Sequence, residues 1–236
     1  MKALELHPWQ VSSSQAQAIQ RELAGRVLTQ KLEEQPQFIA GVDISPGDEV
    51  GMTRGAVVVL TFPDLEVAEV RVAEVNSNFP YIPGLLSFRE IPALLPVLEQ
   101  LDIRPDLLLV DGQGLAHPRR FGLACHLGVL LDLPTIGCAK SRLVGSHNPV
   151  GVEVGDWAKV EDRGERVGLA LRSKSGARPL YISAGHKIDL EGARRWVMAC
   201  CRGHRLPEPI RLAHLAAAGR LAPGVREPAQ AKAFAV

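Results

Sequence analysis

No apolar run in this 236-residue chain approaches the roughly 20 residues that a membrane-spanning helix requires. The opening Met1-Lys2-Ala3-Leu4-Glu5-Leu6-His7 also lacks the apolar stretch of a secretory signal, so no membrane partner is expected and the expected location is cytoplasmic. Cysteine is sparse: Cys125, Cys138, Cys200 and Cys201 show no CxxC spacing. That argues against a zinc site or a disulfide framework and in favour of buried free thiols. An excess of one charge is missing too. With 27 basic and 26 acidic side chains, net +1, bulk electrostatics do not advertise a nucleic-acid binder, and any such function must rest on local chemistry. No internal repeat and no domain boundary is visible.

What remains, 46% hydrophobic and 22% charged residues, suits one globular domain. We expect it to span residues 1–220, with an Ala- and Pro-rich loose tail over 221–236. Ser12-Ser13-Ser14 offers helix caps to an apolar periodicity running from about Gln15 to Gln35. Three strands follow, at Phe38 to Ile44, Ala56 to Phe62 and Val67 to Val75, separated by the turn formers Ser45-Pro46-Gly47-Asp48 and Pro63-Asp64; such short links predict an antiparallel meander. A helix is predicted over Phe88 to Leu101, its register disturbed by Pro92 and Pro96. Leu107 to Val110, a helix from Pro118 to Leu131, and Thr135 to Cys138 then give a strand–helix–strand order that implies parallel neighbours. A late hairpin at Val167 to Leu171 and Leu180 to Ser183, followed by a helix capped by Asp189 and ending near Cys201, completes an α/β plan with a mixed sheet.

Two aspartates stand out. Asp43 lies in the apolar segment Phe38-Ile39-Ala40-Gly41-Val42, where an unpaired anion is costly. Asp111 ends Leu107-Leu108-Leu109-Val110 and precedes Gly112-Gln113-Gly114, a carboxylate at the strand edge where α/β sheets place ligands. Such hard oxygens suit Mg²⁺ or Mn²⁺ shared with a phosphate. Two readings stay open for each, since Asp43 could bond neighbouring backbone and Asp111 could open a turn. Glu90 is a third candidate, but Ser87-Phe88-Arg89-Glu90 also fits a helix capping box. Lys140 suits phosphate neutralisation or plain solvation, and His214, on an expected late helix, is weak when taken alone.

Taken together, these segments resemble the endonuclease V family. The likeness rests on Gly41-Val42-Asp43, on Pro80-Tyr81-Ile82-Pro83-Gly84 with Leu86-Ser87-Phe88-Arg89-Glu90, and on Val110-Asp111-Gly112-Gln113-Gly114 with His117-Pro118-Arg119-Arg120. It continues through Pro134-Thr135-Ile136-Gly137-Cys138-Ala139-Lys140 and Gly185-His186 to Arg205-Leu206-Pro207-Glu208-Pro209-Ile210-Arg211, in order through nearly the whole chain.

The resemblance implies a ribonuclease H-like fold, with three antiparallel strands followed by parallel ones and flanking helices. It implies Asp43 and Asp111 as the principal ligands of Mg²⁺, with Mn²⁺ as a substitute, Glu90 completing the acidic set, Lys140 holding phosphate charge, and His214 as an auxiliary catalytic group. It also implies hydrolysis of the second phosphodiester 3′ to a deaminated base such as hypoxanthine, leaving 3′-hydroxyl and 5′-phosphate ends. Pro80, Tyr81, Ile82 and Pro83 would form a stiff wedge at the lesion, Gly84, Gly112 and Gly114 would let backbone approach the extruded base, Arg119 would position phosphates unless it is only a solvated arginine, and Leu85, His117 and Ala139 would also contact the DNA or lesion. The expected partner is DNA containing deoxyinosine, acted on by a monomer. The alternatives are an inosine-specific ribonuclease on single-stranded RNA and a lesion-binding module that does not cut.

Overall fold

The structure is a computed structural model that describes residues 1–45, 52–76 and 79–225. The expected turn at Pro46-Gly47-Asp48 and residues 226–236 of the expected tail lie outside those residues.

The first helix, α1 (Ser13–Ala24), starts where the serines predict, and its cap is reciprocal. Ser12 Oγ accepts from the Gln15 amide while Gln15 Oε1 accepts from the Ser12 amide. It stops eleven residues short of Gln35 because Gly25 follows and the Leu28 backbone is engaged elsewhere. The Leu28 amide donates to His186 Nδ1 and its carbonyl accepts from the Lys187 amide.

Strands β1 (Phe38–Ile44), β2 (Met52–Thr61) and β3 (Val67–Asn76) form the expected antiparallel meander. After α2 (Leu86–Glu99), strand β4 (Leu107–Val110) pairs in parallel with β1, and β5 (Thr135–Ala139) in parallel with β4 across helix α3 (Leu123–Leu131). Helix α3 begins later than Pro118 because Arg120 takes a left-handed backbone, φ 54°, and Gly122 is extended. The late hairpin partners, β7 (Glu165–Leu171) and β8 (Leu180–Ala184), do pair, and β8 joins β5 antiparallel. An edge strand absent from the sequence reading, β6 (Trp157–Asp162), lies outside β7; its alternation of exposed and buried residues is that of a half-solvated edge. Asp189 caps α4 (Leu190–Ala199) as expected, α5 (Glu208–Ala217) follows, and β9 (Gly224–Val225) pairs with β3, so these two residues of the expected tail are held by the sheet.

The nine strands run β6-β7-β8-β5-β4-β1-β2-β3-β9 in one mixed sheet, the expected ribonuclease H-like plan. Among the described residues no helix is long and apolar enough to cross a membrane. Alternate side chains serve opposite faces. Ile39, Leu107 and Leu109 pack with Ile210 and Ala213 of α5, while Ala40, Val42, Leu108 and Val110 pack with Ile91 and Leu94 of α2 and Leu127 of α3. This double cover makes β1 and β4 almost wholly buried and leaves their carboxyl ends as the place where a polar group can emerge.

Candidate active site

Parallel register brings the two aspartates together. Gly41 faces Leu109 and Val42 faces Val110; Asp43 and Asp111 are the next residues along each strand direction. The alternation that points Ile39, Leu107 and Leu109 at α5 carries both aspartates to that same face of the sheet. The approach of α5 depends on Gly41, since a Cβ there would overlap the backbone of Pro209 and Ile210. With the helix seated that closely, His214 Nδ1 comes 3.1 Å from Asp43 Oδ2. Lys140, one residue past β5, places Nζ 2.5 Å from Asp111 Oδ2.

Glu90 arrives from α2. That helix begins at Leu86 with no side-chain cap, so the expected capping box is not formed: Ser87 lies inside the helix with a buried hydroxyl that has no hydrogen-bond partner. Glu90 lines the same cavity as the two aspartates, near enough for both of their charges to act on it.

The electrostatics record the crowding. Burial, then the nearby Asp111 charge, pushes Asp43 up to about 6 even though Lys140 and His214 pull the other way. Burial, then Asp111, then Asp43, pushes Glu90 up to about 7, against the lowering effect of Arg89. Burial lowers the Lys140 ammonium, but Asp111 and then Asp43 outweigh it and the net shift is upward, so the lysine stays charged. Among the described residues no three His, Cys, Asp or Glu side chains are drawn together closely enough to hold an ion. Lys140 and His214 instead occupy one oxygen each of Asp111 and Asp43.

One open cavity of about 470 Å³ collects Asp43, Glu90, Asp111, Lys140 and His214, with Tyr81, Pro83, Gly84, Gly112, His117 and Ala139 on its walls. Tyr81 is 70% exposed, which contrasts with a half-buried loop aromatic. Other expected contact residues stand apart from those walls. Leu85 is buried against Ala16 and Phe88, with Ile82 packed on the same cluster; Pro80 is exposed beside it. Gly114 does not line the cavity; its amide donates to Ser183 Oγ as the chain packs tightly on Ala184 of β8. Arg119 turns its guanidinium inward to Gln20 and Gly84, and Arg120 is paired with Asp162 and Glu165. All four cysteines are free, three buried and Cys201 partly so.

The sequence reading missed Gln20, Ser141, Arg142 and Leu143, which also line the cavity. Arg142 could have been suspected from its place two residues after Lys140. A polar residue such as Gln20 on the apolar face of α1 was a further signal. Gln113, which the sequence reading gave no catalytic task, lines the cavity and donates from Nε2 to the Ser141 carbonyl at 2.8 Å.

Comparison with known proteins identifies the family. The sequence profile of Endonuclease V matches residues 21–215. An Endonuclease V from Dehalococcoides mccartyi is 50% identical over 218 residues, covering 92% of this chain and 98% of the relative. The crystal structure of the Endonuclease V from Streptomyces avermitilis superposes with a TM-score of 0.85 at 41% identity, over 89% of this chain and 93% of that one. The Endonuclease V of Ciona intestinalis, crystallised with a 23mer DNA containing an inosine followed by a ribo-adenosine, superposes with a TM-score of 0.78 at 27% identity, over 89% and 98% of the two chains. The fold, the matched residues and these relatives agree: the chain belongs to the endonuclease V family of nucleases.

Proposed function

We propose that this protein is a Mg²⁺-dependent deoxyribonuclease that recognises hypoxanthine in DNA and hydrolyses the second phosphodiester on its 3′ side, leaving 3′-hydroxyl and 5′-phosphate ends. The observation that carries the reading is the convergence of Asp43 and Asp111, adjacent on one face at the carboxyl ends of β1 and β4, with Glu90 opposite them in one cavity.

The donor set fits a hard divalent cation in its chemistry, because the Asp111 charge raises the proton affinity of Asp43 and of Glu90, the Asp43 charge raises that of Glu90, and three carboxylates carry more negative charge than Lys140 offsets; the three would have to draw closer than they stand here to share an ion. Asp43, Asp111 and Glu90 would hold the ion, with Mn²⁺ as a substitute for Mg²⁺. A divalent cation bound there supplies acidification of an attacking water and charge neutralisation at the leaving oxygen. Lys140, partly exposed and already beside Asp111, is suited to take up phosphate charge when a strand enters. His214 orients Asp43 through its Nδ1 contact.

Substrate selection draws on the rest of the cavity. Tyr81 stands out from a loop stiffened by Pro80 and Pro83, a rigid aromatic suited to stacking where a base leaves the helix. Gly84, Gly112 and Ala139 line the cavity, and main-chain groups of such small residues are suited to tell the hypoxanthine carbonyl from the adenine amino group. The inosine-bearing DNA held by the Ciona protein supports the same substrate class here. We propose a monomer as the acting unit and place it in the cytoplasm.

The test uses end-labelled DNA and RNA strands, each with a single inosine, incubated with Mg²⁺ or with chelator, and the ends mapped. Cutting of the DNA between the first and second nucleotides 3′ to the inosine, lost in chelator, is expected. Cutting confined to RNA would reassign the protein to the inosine ribonuclease alternative, and binding without cutting would make it a lesion-binding module.

A further inference from the structure

The carbonyl oxygen of Gly84 accepts three hydrogen bonds from groups far apart in sequence. Gln20 Nε2 donates at 3.1 Å, His117 Nε2 at 2.9 Å and Arg119 Nη2 at 2.6 Å. A carbonyl has two lone pairs, so three donors, one of them cationic, are more than an ordinary loop peptide attracts. The donors are also tied to one another. Arg119 Nε donates to Gln20 Oε1 at 2.6 Å, Gln20 Nε2 also reaches the Phe121 carbonyl at 3.3 Å, and His117 Nδ1 accepts from the Arg119 amide at 3.2 Å. That last bond fixes the tautomer: Nδ1 holds the lone pair, so Nε2 carries the proton given to Gly84. Burial pushes His117 down to about 4, which keeps the ring neutral in this role.

Gln20 is the centre of the network and the member that no motif marks. It is 1% exposed, on the same face of α1 as Ala16 and Leu23, where an apolar side chain would satisfy packing and an amide must find partners. Both ends of that amide are used, the oxygen on Arg119 and the nitrogen on Gly84 and Phe121.

We infer that Gln20 is a positioning residue for base recognition, locking the Gly84 end of the Pro80–Gly84 loop to the segment between β4 and α3. The inference rests on the function proposed above, since the slot it shapes is the one that would receive an extruded base. Gly84 has φ +81°, a conformation in which glycine is unstrained and its peptide is free to swing unless anchored. Its carbonyl is anchored on the α1 side while the residue lines the cavity near Gly112. The two main-chain walls are thereby fixed relative to each other before a base arrives, and the ordering cost is removed from the binding step. The aspartates stand on the sheet and not on this network, so the bond-breaking step is separable from it.

The test is single-turnover cutting of a labelled strand with one deoxyinosine, followed across enzyme concentrations with Mg²⁺, with an unlabelled strand carrying deoxyadenosine at that position as competitor. For Gln20→Leu the half-saturating concentration should rise about tenfold, the upper end for one hydrogen bond such as that to the Gly84 carbonyl, while the limiting rate and the competitor's inhibition constant stay within about twofold of wild type. Gln20→Glu keeps an acceptor for Arg119 but removes the donor to Gly84; it guards against a Gln20→Leu variant that does not fold, and should show the same shift with a wild-type melting transition. Unchanged half-saturation in a folded variant overturns the inference, as does equal weakening of the deoxyadenosine competitor, which a general loss of structure would give. A wild-type protein with no preference for the deoxyinosine strand would overturn the proposed function itself, and this inference with it.

Discussion

His214 on α5 meets Asp43 on β1 at 3.1 Å, a contact that closes a separation of 171 residues. Because Asp43 is buried and His214 about half exposed, the imidazole acts from the solvent side of the carboxylate, where it can orient the anion without enclosing it.

The two residues should therefore differ sharply on substitution. Asp43→Asn or Asp111→Asn removes a negative oxygen from the proposed ligand set, and cutting of the deoxyinosine strand should become undetectable. His214→Ala removes an orienting partner and should lower the cutting rate about 10- to 100-fold, as loss of such partners does elsewhere. Rates at saturating enzyme check this, and full activity in either aspartate variant would contradict the ligand assignment.

The raised carboxyls of Asp43 and Glu90 make a stability prediction with a definite sign. Below about pH 3 both carboxyls are protonated in folded and unfolded chains. As pH rises toward about 6 for Asp43 and about 7 for Glu90, the unfolded chain ionises first, so their contribution to stability is lost. His117, pushed down to about 4, and His126, pushed well below its usual value by burial and then by His7, act in the opposite direction, so the informative quantity is a difference between variants. In chelator, Glu90→Gln should be more stable than wild type by on the order of 1–3 kcal/mol at pH 8 and by much less at pH 5. Thermal melts across pH measure it. Adding Mg²⁺ at pH 8 should close the gap, because the ion stabilises the wild-type carboxylates and releases their protons.

Much of this site was legible because strands impose a simple rule. Asp43 and Asp111 each stood out as a carboxylate at the end of an apolar strand, whereas the parallel pairing of β1 with β4, which sets Val42 beside Val110 and so brings the two aspartates together, is visible only in the structure. Helix limits were less legible, since they depend on partners distant in sequence. Leu28 leaves the expected helix to bond His186 and Lys187, and Ser87 sits inside α2 despite the apparent capping box. Gln20 stood out only as a polar residue on the apolar face of α1; its task was not legible, because it is defined by Gly84 and Arg119, whose proximity no spacing in the sequence reveals.

The dependence of α5 on Gly41 gives a prediction about packing. Gly41→Ala would drive a methyl into the Pro209 carbonyl and the Ile210 amide, neither of which can rotate away as a side-chain end would. A loss of about 2–4 kcal/mol is expected, visible as a lower midpoint of denaturation with an unchanged slope. Because the same displacement withdraws His214 from Asp43, activity should fall even where the variant remains folded. Wild-type stability in the Gly41→Ala variant would show that the helix approaches β1 less closely than this contact requires.

Tyr81 separates recognition of the lesion from the chemistry of cutting. Its ring is 70% exposed, so Tyr81→Ala should leave stability within about 0.5 kcal/mol of wild type, as substitutions at exposed positions generally do. If the ring holds strands apart at the lesion, the variant should lose about 10-fold or more on duplex DNA, the scale of one base-stacking contact. A single strand already presents its base unpaired, so the loss there should be much smaller. Parallel rates on the two substrates provide the comparison, and an equal loss on both would move Tyr81 from strand separation to general binding of the strand.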